Sequence, residues 1–167
     1  MNFSTKPFID EATIQQRIQT LVTDVVKSVP AFSEGVTVVA ATHSSVQFAK
    51  LFSAAFRYRG VESVVLNGAV QATPKWLIDN QSTWLNACLI LQDVSSTGQH
   101  LKELQDLCTV HLPIPIRTVV MLSKHQESES DWSPDWTGFC IPNEFVVGCG
   151  MDINGQLAAL GSIKVLA

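Results

Sequence analysis

The segment Ala87-Cys88-Leu89-Ile90-Leu91-Gln92-Asp93-Val94-Ser95-Ser96-Thr97-Gly98-Gln99-His100-Leu101 constrains this chain more than any other. The apolar run Cys88 to Leu91 has the pattern of a strand covered on both faces, and Leu101, Leu104 and Leu107 then recur at helical spacing. Between them, Ser95, Ser96, Thr97 and Gly98 supply short hydroxyls and a chain able to curl tightly. A strand that enters a helix through such a turn can point successive backbone N–H groups at one anion, because the first N–H groups of a helix have no partner inside it.

The rest of the chain repeats the alternation of strand and helix. Ile14, Ile18, Leu21, Val22, Val25 and Val26 lie on one face of an opening amphipathic helix, with Asp10 and Glu11 at its favourable N-terminal end. After a break at Pro30 to Gly35, Val36 to Ala40 reads as a strand. Val46, Ala49, Phe52, Ala55 and Phe56 follow as a helix closing near Gly60. Further strands are expected at Ser63–Leu66, Ala87–Leu91, Arg117–Leu122, Glu144–Cys149 and Ser162–Leu166. This order predicts an α/β fold, a mainly parallel sheet flanked by helices, in right-handed βαβ units. Ligands of such sheets sit outside the carboxyl ends of the strands, where Ala41 to Ser44, Gln92 to Gly98 and Lys124 arrive together. Gln126 to Ser133 is a polar loop, and Trp76 and Trp84 are expected to pack down the region before the third strand.

At 167 residues and 46% apolar content, the chain suits one domain over residues 1–167, able to bury about two-thirds of its unfolded surface. A net charge of −4 offers no general attraction to nucleic acid or to an anionic membrane, since Lys and Arg are scattered. Cys88, Cys108, Cys140 and Cys149 have no metal-ligand spacing, and at least three lie in apolar surroundings, which suits a reducing cytoplasmic setting. No apolar run approaches the ~20 residues of a membrane helix, and Asp10 and Glu11 stand where a signal peptide would need its apolar region. Neither export nor membrane insertion is expected.

The segment from Cys88 to His100 resembles the ribose-phosphate motif of type I phosphoribosyltransferases: four apolar residues, Glu-Asp, two variable residues, then Asp-Thr-Gly. The matching positions here are Gln92-Asp93 and Ser96-Thr97-Gly98, so two acidic positions are neutral. A second stretch, Pro134-Asp135-Trp136-Thr137-Gly138-Phe139-Cys140-Ile141-Pro142 through Phe145-Val146-Val147-Gly148 to Asp152, resembles the purine-binding end of the hypoxanthine-guanine phosphoribosyltransferases. That match is long and specific.

The resemblance implies a type I phosphoribosyltransferase-like domain that displaces pyrophosphate from phosphoribosyl pyrophosphate (PRPP) with a purine nitrogen, through a transition state with positive charge on the ribose. It assigns the 5′-phosphate to Ser96, Thr97, Gly98, Gln99 and His100, and the ribose hydroxyls to Gln92 and Asp93. It places the pyrophosphate loop at Ala41, Thr42, His43 and Ser44, and the purine at Lys124, Phe145 and Val146. Asp93 and Asp152 stand near Mg²⁺. Purine nucleotide or nucleobase and PRPP are the implied ligands, and a dimer or tetramer the implied assembly.

The departures bear on catalysis. Ser96 stands where the family has the Asp that accepts the purine proton, and a serine hydroxyl is no base near neutrality. Gln92 brings no charge to Mg²⁺ or to the ribose cation. Thr42 replaces the Lys of the pyrophosphate loop. The family's Ser-Tyr lid is absent from the shorter stretch 67–78. His100 replaces a Thr, and either adds a charge-assisted bond to phosphate or points to solvent. The bland alternative for the purine half is a core strand at Phe145–Val147 and a solvated Lys124. The expectation is therefore a purine-nucleotide-binding family member with weak or absent transfer and a weak or dispensable Mg²⁺. The alternatives are a non-catalytic sensor or partner subunit, or a scaffold with a relic pocket.

Overall fold

The computed structural model describes residues 8–67, 72–124 and 132–166. Helix α1 spans Glu11–Ser28 and begins at Asp10, whose Oδ1 accepts the Thr13 N–H at 2.7 Å. That bond satisfies one of the N–H groups a helix start leaves open, and it holds the Asp10 carboxyl below its usual range. Ile14, Ile18, Leu21, Val22 and Val25 face inward, as their spacing predicts. The break after α1 contains one helical turn, α2 (Ala31–Glu34), which buries Phe32.

Five strands form a parallel sheet in the order β2-β1-β3-β4-β5: β1 Val36–Ala40, β2 Ser63–Asn67, β3 Ala87–Ser95, β4 Ile116–Lys124 and β5 Trp136–Ile141. Helices α3 (Val46–Tyr58), α4 (Pro74–Asp79) and α5 (Gln99–His111) complete the crossovers, with a 3₁₀ turn at Gln81–Thr83. Successive residues of β1 and β3 are buried on alternate faces because both faces are covered. Val38, Leu89 and Leu91 join the core under α1 and α3, whereas Val39, Cys88 and Ile90 join the core under α5.

Two expected strands are corrected. Glu144–Cys149 is not the fifth strand of the sheet, and Ser162–Leu166 does not close it. Only β6 (Val146–Val147) and β7 (Lys164–Val165) form there, as a separate antiparallel ribbon. Positive φ at Gly148, Cys149 and Gly150 turns the chain out of extended conformation directly after β6. The fifth parallel strand is Trp136–Ile141. Its exposed edge is capped by Arg17 of α1, whose Nε and Nη2 donate to the carbonyls of Gly138 and Thr137 at 2.8 and 2.7 Å.

Trp76 and Trp84 pack edge to face with ring centres 5.7 Å apart, as expected, and Trp84 Nε1 donates to the Leu77 carbonyl at 3.3 Å. The expected lid stretch lies partly outside the described residues, at 68–71, as does most of the polar loop, at 125–131. Cys88, Cys108 and Cys149 are buried, Cys140 is exposed, and all four are free thiols. Among the described residues no helix is long and apolar enough to cross a membrane.

Candidate functional site

The loops after β1, β3 and β4 all leave the sheet at its carboxyl edge, so three of the expected site segments converge there. Strand β3 runs four residues beyond its apolar part. Gln92, Asp93 and Ser95 are therefore buried polar residues inside the sheet. The Ser95 hydroxyl accepts the Gly98 N–H at 2.9 Å and closes the turn. Gly98, at φ 74°, is the N-cap of α5, a conformation that costs little only for glycine. Ser96 and Thr97 are exposed on the outer side of this turn.

A cavity of about 190 Å³ joins the turn to the end of β4. It is lined by Ser95 to Gly98 on one side and by Ser123, Lys124 and Trp132 on the other. Lys124 is half-buried, and its ammonium makes no ion pair or hydrogen bond among the described residues. The sequence reading missed Trp132 and Ser123, since only the fold brings them against the turn. A larger cavity of about 390 Å³ is lined by Leu77, Trp84, Leu112 and Ile114, among others. Leu85 and Ile114, on its wall, precede β3 and β4, so it opens at the opposite edge of the sheet and takes no part in this site.

The loop after β1 is engaged with β3. Thr42 Oγ1 and Ser45 Oγ each donate to Asp93 Oδ1 at 2.9 Å, and the Asp93 N–H donates to Ser45 Oγ at 3.0 Å. Ser45 is fully buried and had no role in the sequence reading. His43 and Ser44 belong to the same loop, His43 exposed and Ser44 with its hydroxyl 3.2 Å from that of Thr42. His100 meets neither alternative in full. Its side chain is exposed, yet Nε2 donates to the Ala41 carbonyl at 2.9 Å, which ties α5 to the loop and fixes a proton on that nitrogen. Gln99 Nε2 donates to Glu103 Oε1 at 2.9 Å along α5. Gln92 Nε2 donates to the Val94 carbonyl at 2.9 Å, leaving its buried Oε1 without a partner.

The purine segment divides into scaffold and surface. Asp135 is structural: its Oδ2 accepts the N–H and hydroxyl of Thr118 at 2.8 and 2.9 Å, and its Oδ1 lies 3.5 Å from Arg117 Nε. Gly138 runs so close to β4 that a Cβ there would lie 2.5 Å from the Met121 carbonyl oxygen. Phe145 is 55% exposed and Val146 is buried in β6, and neither lines the 190 Å³ cavity. Gly150 packs against the loop after β1, since a Cβ there would be 2.3 Å from the Ser44 carbonyl oxygen. Asp152 is exposed, with Oδ2 accepting the Gly155 N–H at 2.5 Å in a local turn.

The carboxylates that the resemblance places near Mg²⁺, Asp93 and Asp152, each keep one oxygen without a hydrogen bond among the described residues. Such an ion takes one or two carboxylates beside phosphate oxygens, in nearly ideal octahedral geometry. Asp93 accepts both hydroxyls on Oδ1, leaving Oδ2, and Asp152 closes its own turn through Oδ2, leaving Oδ1, while among the described residues no group of three or more His, Cys, Asp and Glu could hold a metal without a phosphate ligand.

Comparison with known proteins agrees with the architecture. No protein-family model matches the chain. A hypoxanthine-guanine phosphoribosyltransferase of Lactococcus lactis is 38% identical over 78 residues, which are 47% of this chain and 42% of that protein. A phosphoribosyltransferase domain-containing protein 1 of Xenopus tropicalis is 35% identical over 78 residues, 47% of this chain and 35% of that protein. The chain thus spans less than half the length of these curated relatives. The crystal structure of a hypoxanthine-guanine phosphoribosyltransferase from Bacillus anthracis superposes with a TM-score of 0.79 at 20% identity, covering 99% of this chain and 100% of that one. A hypoxanthine phosphoribosyltransferase from Trypanosoma cruzi, in complex with the product IMP, has a TM-score of 0.79 at 22% identity over 99% and 92%. The chain has the type I phosphoribosyltransferase fold and resembles the hypoxanthine-guanine phosphoribosyltransferases in sequence.

Proposed function

We propose that this protein binds a purine nucleotide at the carboxyl edge of its sheet and carries out phosphoribosyl transfer weakly or not at all. The observation that carries the reading is the cavity shared by the Ser95–Gly98 turn and Lys124. The turn and the start of α5 offer N–H and hydroxyl donors to a phosphate, and Lys124, at the cavity wall, offers an ammonium to a 6-oxo group. Exposed Phe145 is available to stack on a base.

Catalysis is the weaker half of the pair. Ser96 is exposed, and a serine hydroxyl is no base near neutrality, where loss of a general base costs about 10²–10⁴-fold in rate. Gln92 and Thr42 remove one negative and one positive charge from the groups that would act on the ribose and the leaving group. Purine nucleotide or nucleobase and PRPP are the proposed ligands, with Mg²⁺ weak or dispensable, a cytoplasmic setting, and a dimer or tetramer that light scattering would register.

The test is thermal. GMP or IMP at a hundred times its dissociation constant adds about 2.7 kcal/mol to stability, which raises the melting temperature. No shift with either nucleotide at millimolar concentration would refute the reading.

A further inference from the structure

Leu77, Trp84, Leu85, Leu112 and Ile114 surround the hollow of about 390 Å³ at the sheet edge opposite the carboxyl ends of the strands. Leu77 is buried, but the other four are only half-buried, so apolar surface faces a space that no described residue fills. The walls are fixed without a ligand. Thr37 of β1, itself fully buried, accepts the Leu85 N–H at 2.9 Å and donates its hydroxyl to the Thr83 carbonyl at 3.1 Å. Thr73 caps α4 by accepting the Trp76 N–H at 3.2 Å, and Trp84 is held by Leu77 and Trp76. Across the hollow, Pro113 and Pro115 stiffen the chain between α5 and β4, and the Pro115 carbonyl accepts the Cys88 N–H at 2.9 Å. A preformed hollow spares a ligand the cost of ordering its site.

The lining also limits the charge of an occupant. Among the described residues it holds no Lys, Arg, Asp or Glu, so an ion entering it would shed water without gaining a fixed opposite charge. Exposed Gln81 and His111 complete the lining, and their side chains make no hydrogen bond among the described residues. They are free to meet one polar edge of a ligand. We propose that this hollow is a second ligand site, for a small uncharged aromatic or heteroaromatic molecule of one or two rings. Its volume falls in the range of about 300–1,000 Å³ found for small-molecule sites, and an apolar lining with few polar groups is their usual make-up. The site is independent of the nucleotide reading, because the phosphate needed at the carboxyl edge is what this lining rejects.

The experiment is calorimetry on the full chain at pH 8, which keeps imidazole uncharged, with indole and with indole-2-carboxylate. Indole should bind with a dissociation constant below about 1 mM, and the rigid anion at least about tenfold more weakly. Leu112→Trp fills the hollow and should weaken indole at least about tenfold, while leaving any GMP binding within about twofold of the parent. If that variant does not fold, a crystal of the parent soaked with indole decides, with density expected between Trp84 and Ile114. No indole binding at millimolar concentration, or equal affinity for the anion, overturns the proposal. So does a parent dimer that Leu112→Trp dissociates, since a second copy of the chain would then be the occupant.

Discussion

The indole of Trp132 lies against the backbone of Gly98: a Cβ built on that glycine would stand 2.5 Å from Trp132 Cζ3 and 2.8 Å from Cε3. Trp132 Nε1 is anchored to Gln105 Oε1 of α5 at 3.0 Å, so the ring cannot simply swing away. The turn and the wall of its cavity are thus one packed unit.

Gly98→Ala should therefore destabilise the protein through two separable effects. The left-handed conformation costs a non-glycine residue about 1–2 kcal/mol, and the new methyl meets the indole. Gly98→Ala/Trp132→Ala removes the second effect but not the first. The melting temperatures of the two singles and the double should then be non-additive. Strict additivity would mean that the ring and the turn do not touch.

Phe52→Ala and Phe145→Ala should divide stability from binding. Phe52 of α3 is fully buried in the core, and its truncation should cost about 3–5 kcal/mol in denaturant unfolding. Phe145 is 55% exposed, so its truncation should stay within about 0.5 kcal/mol of the parent. If it stacks on the purine, the same change should weaken GMP by ~1–3 kcal/mol. Unchanged GMP affinity in Phe145→Ala would remove that residue from the site.

Gln92→Glu/Ser96→Asp restores both acidic positions of the turn segment. It should raise hypoxanthine or guanine phosphoribosyl transfer above the parent rate, measured as IMP or GMP formation at saturating Mg²⁺. The gain should be modest while Thr42 remains, because catalytic groups that act together are not additive. A parent already turning over at an ordinary ~10 s⁻¹ would show that another base serves, with His43 and His100 the first to test.

Cys149 should impose an alkaline limit on stability. Burial, and secondarily the charge of Glu11, raise its thiol from 9.0 to about 11, while the S–H donates to the Gly161 carbonyl at 3.1 Å. With a folded-state value above the unfolded one, the native thiol holds its proton more tightly. That contribution is complete below about pH 9 and is lost as pH rises towards 11. Parent and Cys149→Ala stability curves should converge over that interval. Parallel curves would count against the assignment.

The sequence was most informative where burial follows a repeat. Strand β1 has its expected limits at Val36 and Ala40, and the inward face of α1 consists of the residues picked out by helical spacing. It was less informative where polar residues enter the sheet. Strand β3 continues through Gln92, Asp93 and Ser95 because β4 supplies ladder partners as far as Ser123, which no local pattern can show. Strand β5 was hidden by its mixed Trp-Thr-Gly-Phe-Cys-Ile pattern, since its edge position leaves it half covered. In the site, the three converging loops were legible from the alternation of elements. The bond from Ser45 to Asp93 was not, because it joins residues 48 apart in the chain and Ser45 is one of several small hydroxyl residues in its loop.

The most direct measurement is a crystal structure of the protein with GMP. The account predicts density for the phosphate on the Ser96–Gln99 turn and for the purine 6-oxo group at Lys124 Nζ. A nucleotide bound elsewhere, or an empty turn at saturating GMP, would contradict it.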